Sequence, residues 1–292
     1  MAQIGQSIRR IDGRSKATGE AQFPGDFNRP DQLAMKILFA DRPHARVVAI
    51  DTQAAEALAG VVAILTAKDV PNNVYGMIIP DQPVLCGPGS NRPYGDLVQF
   101  IGDQIAVVIA ETDQIADRAR SLIQVTYEDL PGIYTIQDAL AEGAPILHPD
   151  KGTNIFREYH IRQGDVSEGF ELCDVIVEGE YRTPPQEHAY LQPEAGLAYV
   201  DDEDRITVVV GGQCNHEDRH QIAHALNLSQ EQIRVIYPVV GGAFGGREDV
   251  SIQIVLALAV YHLRERGINR PVKIIWSREE SIKGHGKRHA FT

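Results

Sequence analysis

The residues best placed to do chemistry lie between Gly241 and Glu248. Gly241, Gly242, Gly245 and Gly246 put four glycines into six positions, and Arg247 and Glu248 follow. So little side-chain bulk lets backbone N–H groups come close to an anion or a metal oxo group. A helix starting just beyond would add positive dipole. Gly241 and Gly246 have P-loop spacing, but Arg247 and Glu248 stand where that motif needs Lys and Ser or Thr. The GGAFGG run does not supply G-x-G-x-x-G either. The loop therefore reads as a cradle for some other ligand, or as a tight turn packing a core helix.

A second chemical pattern is His216-Glu217-Asp218-Arg219-His220, a literal H-E-x-x-H. On a helix it puts both histidines on one face with Glu217 as a general base, as zinc hydrolases require, and His224 extends that face. The context is poor. His216 falls in the first turn, no third ligand follows at standard spacing, and Asp218, Arg219 and Gln221 give the helix a solvated character. Solvated or cofactor-facing histidines fit this stretch better than a zinc site.

Composition narrows the classes. The 292 residues carry a net charge of −12, which excludes a basic field for nucleic acid. Hydrophobic content of 43% permits substantial cores and 292 residues permit two domains. No apolar run of membrane-spanning length and no basic-then-apolar leader is present, so the expectation is a soluble, cytoplasmic chain. Cys86, Cys173 and Cys214 are scattered without C-x-x-C, so neither a disulfide frame nor a cysteine-held cluster is indicated.

The elements that must position these residues can be taken in order. Residues 1–32 read as an extended arm tacked down by Ile4, Ile8, Ile11 and Phe23. Strands are expected at 33–40, 47–51, 60–65, 104–110 and 124–128, with helices at 54–58 and 113–122. Five prolines and four glycines make 71–96 a long irregular loop. Residues 33–135 thus form a small domain, and 136–153 a linker. Beyond it, DVIVEGEYR at 174–182 alternates as a strand, and 197–200 pairs with 205–210 as a hairpin. A helix is expected at 215–226, with Asn215 as N-cap and Asp218 completing a capping-box analogue. The strand 233–239, a helix 249–264 apolar nearly all round and the strand 271–276 finish the alternation.

Several stretches together resemble one family. DGRSKATGEAQFPGD in the arm, RPHARV at 42–47, IGDQIAVVIAE at 101–111 and VTYEDLP at 125–131 are similar to the opening and the α/β hammerhead domain of the xanthine dehydrogenase/aldehyde oxidase family of molybdenum hydroxylases. EGEYRTPPQEHAYLQPEAGLA at 178–198, GGQCNHEDRHQIAHAL at 211–226, GGAFGGRED at 241–249, WSREESI and GHGKRHAF resemble the first part of its molybdopterin-binding domain. The implied fold class is α+β: a hammerhead domain, then an incomplete mixed molybdopterin-binding domain over 154–292.

The resemblance also implies roles. Gln213 matches the glutamine beside the molybdenum's apical oxo ligand. Gly242, Ala243, Phe244 and Gly245 match the loop that lies against the metal and pterin, so Gln213 and Phe244 would sit near the oxo ligands without coordinating the metal. Glu248 matches a glutamate that binds the heterocycle in purine-oxidising members, or it is a solvated helix-start carboxylate. Gln192 departs from the family, which commonly has Glu there. Implied cofactors are molybdenum with molybdopterin, in its cytosine dinucleotide form, with [2Fe–2S] centres and FAD on partner chains. No residue here is expected as the catalytic base. That glutamate belongs to the rest of the molybdopterin domain, which implies a partner chain or a longer polypeptide. The rivals are a non-catalytic assembly or cofactor-holding subunit, and a zinc hydrolase acting through His216 and His220.

Overall fold

In the computed structural model, residues 4–248 and 250–292 are described. Among the described residues ten strands run in chain order: β1 Leu33–Phe39, β2 Ala45–Asp51, β3 Val61–Thr66, β4 Leu97–Val98, β5 Gln104–Ala110, β6 Gln124–Asp129, β7 Ala195–Val200, β8 Ile206–Val210, β9 Ile233–Ile236 and β10 Val272–Ile275. The helices are α1 Gly13–Thr18, α2 Gln53–Glu56, α3 Asp113–Leu122, α4 Ile136–Leu140, α5 Val166–Glu171, α6 Asn215–Leu226, α7 Gln253–Glu265 and α8 Arg278–Gly284.

A seven-stranded mixed sheet in the order β3-β5-β1-β10-β7-β8-β9 carries the molecule, with a small sheet β4-β2-β6 beside it. The large sheet crosses the boundary expected at 136–153, because β1 pairs in parallel with β10 through Leu33↔Val272 and Ala34↔Lys273. Strand β5 shows why the sequence reads as a continuous apolar run. Val107 and Ile109 face the main core, while Ala106, Val108 and Ala110 face Ala116 and Ala119 of α3. A strand buried on both faces has no polar side to alternate. Helix α7 lies across β7, β8 and β10, and its residues from Gln253 to Val260 are all buried, as its all-round apolar character predicts.

Several expectations fail for local reasons. The expected strand 174–182 does not form, and Val175, Val177 and Tyr181 stand exposed. Its alternation is real, but no neighbouring strand offers backbone partners. Ile4, Ile8 and Ile11 are exposed and anchor nothing. The arm is held instead at buried Pro24 and at Gly25, whose carbonyl accepts from Lys273 Nζ at 2.7 Å. The expected linker contains α4, capped by Thr135, whose hydroxyl accepts from Asp138 N at 3.0 Å. At α6 the cap residue is Cys214, not Asn215, and no capping box forms. Asp218 turns inward and accepts from the Tyr237 hydroxyl and from Gln253 Nε2.

Candidate functional site

Two loops leave the same end of the sheet. One, 211–214, connects β8 to α6; the other runs from the end of β9 to α7 and holds the glycine run. The helix after the glycine run starts at Gln253, several residues later than the spacing predicts. The expected start at Asp249 lies outside the described residues. The reason for the late start is local: Gln253 Oε1 accepts from Ser251 N at 2.7 Å and Ile252 N at 2.9 Å. These amides are spent on a side chain, so the α7 dipole is not offered directly to a ligand at the loop.

Between Ala243 and Gly246 the loop makes a tight turn, closed by Gly246 N donating to Ala243 O at 2.8 Å. Gly242 has φ +106° and Gly245 φ +88°, in the left-handed region where a side chain is strained. Phe244, between them in the turn, also has positive φ, +50°, and its side chain is 81% exposed. A bulky residue held left-handed costs on the order of 1–2 kcal/mol. The turn therefore holds an aromatic ring in solvent on a strained backbone.

The turn is gripped from beneath. Gln192 Oε1 accepts from Gly241 N at 2.6 Å. Arg247 is buried, donates from Nε to Gly242 O at 3.1 Å and from Nη2 to Gln192 O at 2.5 Å, and stacks 4.3 Å above the Tyr190 ring. Burial pulls its guanidinium below the usual value, with Glu194 opposing. The Tyr190 hydroxyl donates to buried Glu194, and Arg278 Nη2 donates to the Tyr190 carbonyl at 2.6 Å. Gly246 rests on this platform: a Cβ there would lie 2.8 Å from Tyr190 Cε1 and 3.0 Å from His188 Cγ.

The structure places the sequence-predicted residues as follows. Gly242, Ala243, Phe244 and Gly245 form the turn itself. Gln213 is exposed in the 211–214 loop. Gly211 of that loop abuts both grips of the turn: a Cβ there would lie 3.2 Å from Arg247 Nη1 and 3.6 Å from Gln192 Nε2. Glu248 is exposed, with Oε1 3.8 Å from the Cβ position of Gly245. Sequence reasoning passed over Tyr190, Arg247 and the contact role of Gln192. For Gln192 a signal existed, since its identity departs from the family. For the buried Arg247 none existed, because a charged residue after a glycine run reads as solvent-facing.

The H-E-x-x-H residues do not converge. His216, His220 and His224 are exposed on α6, His220 Nδ1 lies 3.4 Å from Glu217 Oε1, and the His224 ring meets Asn72 Nδ2. Among the described residues, the group with metal-ligand geometry is Glu187, His188 and His285, and its third member comes from a distant part of the chain.

Comparison with known proteins matches residues 18–131 to the aldehyde oxidase and xanthine dehydrogenase a/b hammerhead domain. Residues 147–292 match the molybdopterin cofactor-binding domain. The chain is 39% identical over 290 residues to the nicotinate dehydrogenase large molybdopterin subunit of Eubacterium barkeri, covering 99% of this chain and 65% of that one. It is 40% identical over 281 residues to a probable xanthine dehydrogenase subunit from Bacillus subtilis, covering 96% of this chain and 36% of that one. The fold superposes with a TM-score of 0.82 on the aldehyde oxidoreductase of Desulfovibrio gigas, at 27% identity, covering 96% of this chain and 31% of that one. The chain thus spans less than two thirds of the length of these relatives. With a hammerhead unit and a molybdopterin-binding unit matched in order on one continuous sheet, the chain belongs to the aldehyde oxidase and xanthine dehydrogenase family of molybdenum hydroxylases.

Proposed function

We propose that this chain forms one wall of the molybdenum site in an enzyme that hydroxylates an N-heterocycle or an aldehyde with water as the oxygen source. The observation that carries the reading is the turn at Phe244–Gly245, strained, exposed and gripped from below. The names of its relatives, a nicotinate dehydrogenase and a probable xanthine dehydrogenase, support a nitrogen heterocycle as substrate.

The residues present fit a molybdopterin. The outer face of residues 242–245 is free of bulk apart from Phe244, so backbone groups are open to an oxygen-rich ligand. Gln192 Nε2 is buried without a hydrogen-bond partner beside the Gly211 backbone, a donor waiting for an acceptor. Gln213 offers a neutral amide that can donate to an oxo group without competing for charge. When bound, the cofactor supplies the two-electron acceptor for oxidation at the substrate carbon.

The chain's own part is to position. Gln213 and the Phe244–Gly245 backbone would hold the cofactor. Arg247 and Gln192 fix the turn so that this surface is preorganised. Glu248, beyond the turn, accepts a ring N–H of the heterocycle and orients it. The catalytic base would come from the remaining molybdopterin-domain polypeptide. We place the arm at 1–32, the hammerhead unit at 33–135, the connector at 136–153 and the first part of the cofactor domain at 154–292. The cytosine dinucleotide form of the pterin, [2Fe–2S] and FAD subunits as electron carriers, and a cytoplasmic location complete the proposal.

The test is metal and cofactor analysis of the complex purified through this chain. Molybdenum, a cytidine-type pterin and the polypeptide completing the domain are the expected result. Absence of molybdenum from an intact complex leaves a non-catalytic assembly role. In the active enzyme, Glu248→Gln is expected to lower kcat/KM for a heterocycle about 10–100-fold, the value of a hydrogen bond to a charged group. Aldehyde oxidation, which has no ring N–H to hold, is expected to change little. Equal losses on both substrates would remove Glu248 from substrate recognition.

A further inference from the structure

Beneath the glycine turn lies a second constellation that the molybdenum reading does not use. Glu187 and His188 come from the stretch before β7, and His285 follows α8. One ligand atom from each lies within 4.8 Å of the other two. His285 is 5% exposed, and its Nε2 is buried without a hydrogen-bond partner. That atom sits 3.3 Å from Glu187 Oε1. His188 adds a second buried nitrogen, Nδ1, also without a partner.

We propose that Glu187, His188 and His285 form a binding site for a divalent transition-metal ion, with Zn²⁺ as the best-matched occupant. Metal–ligand bonds of about 2.0–2.2 Å in a tetrahedron put ligand atoms roughly 3.3–3.6 Å apart, and Glu187 Oε1 and His285 Nε2 lie 3.3 Å apart. Two imidazoles and one carboxylate are the donor set that first-row ions such as Zn²⁺ prefer, with water free to take the fourth position.

The tautomer of His285 is set for the task. Its Nδ1 lies 2.8 Å from Gly286 O, so Nδ1 carries the hydrogen and Nε2 presents the lone pair inward. Stacking on Tyr190, at 5.4 Å and 24° between rings, fixes the ring plane.

Lys287 works against a cation. Its Nζ lies 3.0 Å from Glu187 Oε2, and it also donates to the carbonyls of His285 and Ile282. It pairs with Oε2, a buried oxygen that accepts no hydrogen bond, while Oε1 faces His285 and also accepts from Ala189 N at 3.1 Å. The lysine therefore weakens the site without blocking it.

Titration of the purified chain with Zn²⁺ by calorimetry, and with Co²⁺ by visible absorption, tests the assignment independently of molybdenum content. One Zn²⁺ per chain and the intense bands of tetrahedral Co²⁺ are expected. His285→Ala and the near-isosteric Glu187→Gln, each checked for native circular dichroism, are expected to weaken binding by roughly 10–100-fold or more. Lys287→Gln is expected to tighten it. Failure of the folded wild-type chain to bind, weak octahedral Co²⁺ bands, or unchanged affinity in both ligand variants overturns the proposal. Loss of the metal in His220→Ala instead would move it to α6, and unaltered affinity in Lys287→Gln would remove Glu187 from the ligand set.

Discussion

At the scale of single residues, the glycine turn is held by a few contacts that can be removed one at a time. Arg247 donates to two carbonyls in part-buried hydrogen bonds, those of Gly242 and Gln192. Arg247→Met keeps the length and loses both donors, so it is expected to cost about 2–4 kcal/mol, read from the denaturation midpoint. Gly246→Ala pushes a methyl against the Tyr190 ring at 2.8 Å and is expected to cost about 1–3 kcal/mol. In a Tyr190→Leu background that cost is expected to shrink. A cycle whose two costs simply add would show that the ring is not what the methyl meets. The turn was legible in sequence, since four glycines in six positions favour neither helix nor strand. Its platform was not. Nothing in the local pattern around Arg247 or Gln192 says that these polar side chains point down, because their partners lie about 50 positions away.

At the scale of elements, the hairpin β7–β8 depends on Asp201. Its carboxylate accepts from Arg205 N and Glu203 N at 3.0 Å, from Thr207 Oγ1 at 2.9 Å and from Arg205 Nε at 3.0 Å. Burial works against the charge, but these bonds win and hold its pKa down at about 2. A depressed carboxylate pKa contributes stability that is present above the unfolded value near 3.9 and is lost as pH falls through about 2. The contribution is on the order of 2 kcal/mol, so Asp201→Asn is expected to lower stability at pH 7 by about that amount and to flatten the acid limb between pH 4 and 2. Identical acid limbs for the two proteins would refute it. The segment 174–182 makes the opposite prediction. With Val177 88% exposed and no strand formed, its amides are expected to exchange within the fastest class in hydrogen-exchange mass spectrometry of the isolated chain. The same alternation that misdirects the strand assignment shows what sequence periodicity reports: a segment's readiness to pair, and not the presence of its partner.

At the scale of the whole molecule, the hammerhead region and the cofactor region share one sheet. Strand β1 contributes Leu33, Met35 and Ile37 to the core that α7 covers. Its outer edge is closed by β10, from the far end of the chain. Residues 1–135 expressed alone are therefore expected to expose the β1 edge and the apolar face under α7, and to self-associate. Size-exclusion chromatography of that fragment checks this, and a monodisperse, folded monomer would contradict it. No helix among the described residues is long and apolar enough to cross a membrane.

The sequence by itself determined the elements whose physics is local: the apolar runs of β1, β5 and α7, the helix at α3, the long loop rich in proline and glycine, and the glycine turn. Its ordered motifs also determined the family. Only the tertiary structure decided which distant residues meet. It joined β1 to β10, turned Asp218 away from a cap and into the core, and left the histidines of α6 in solvent. It also gathered Glu187, His188 and His285 beneath the turn. The physical reason is that burial and hydrogen-bond satisfaction are settled by long-range packing, whereas period and propensity reach only a few residues along the chain.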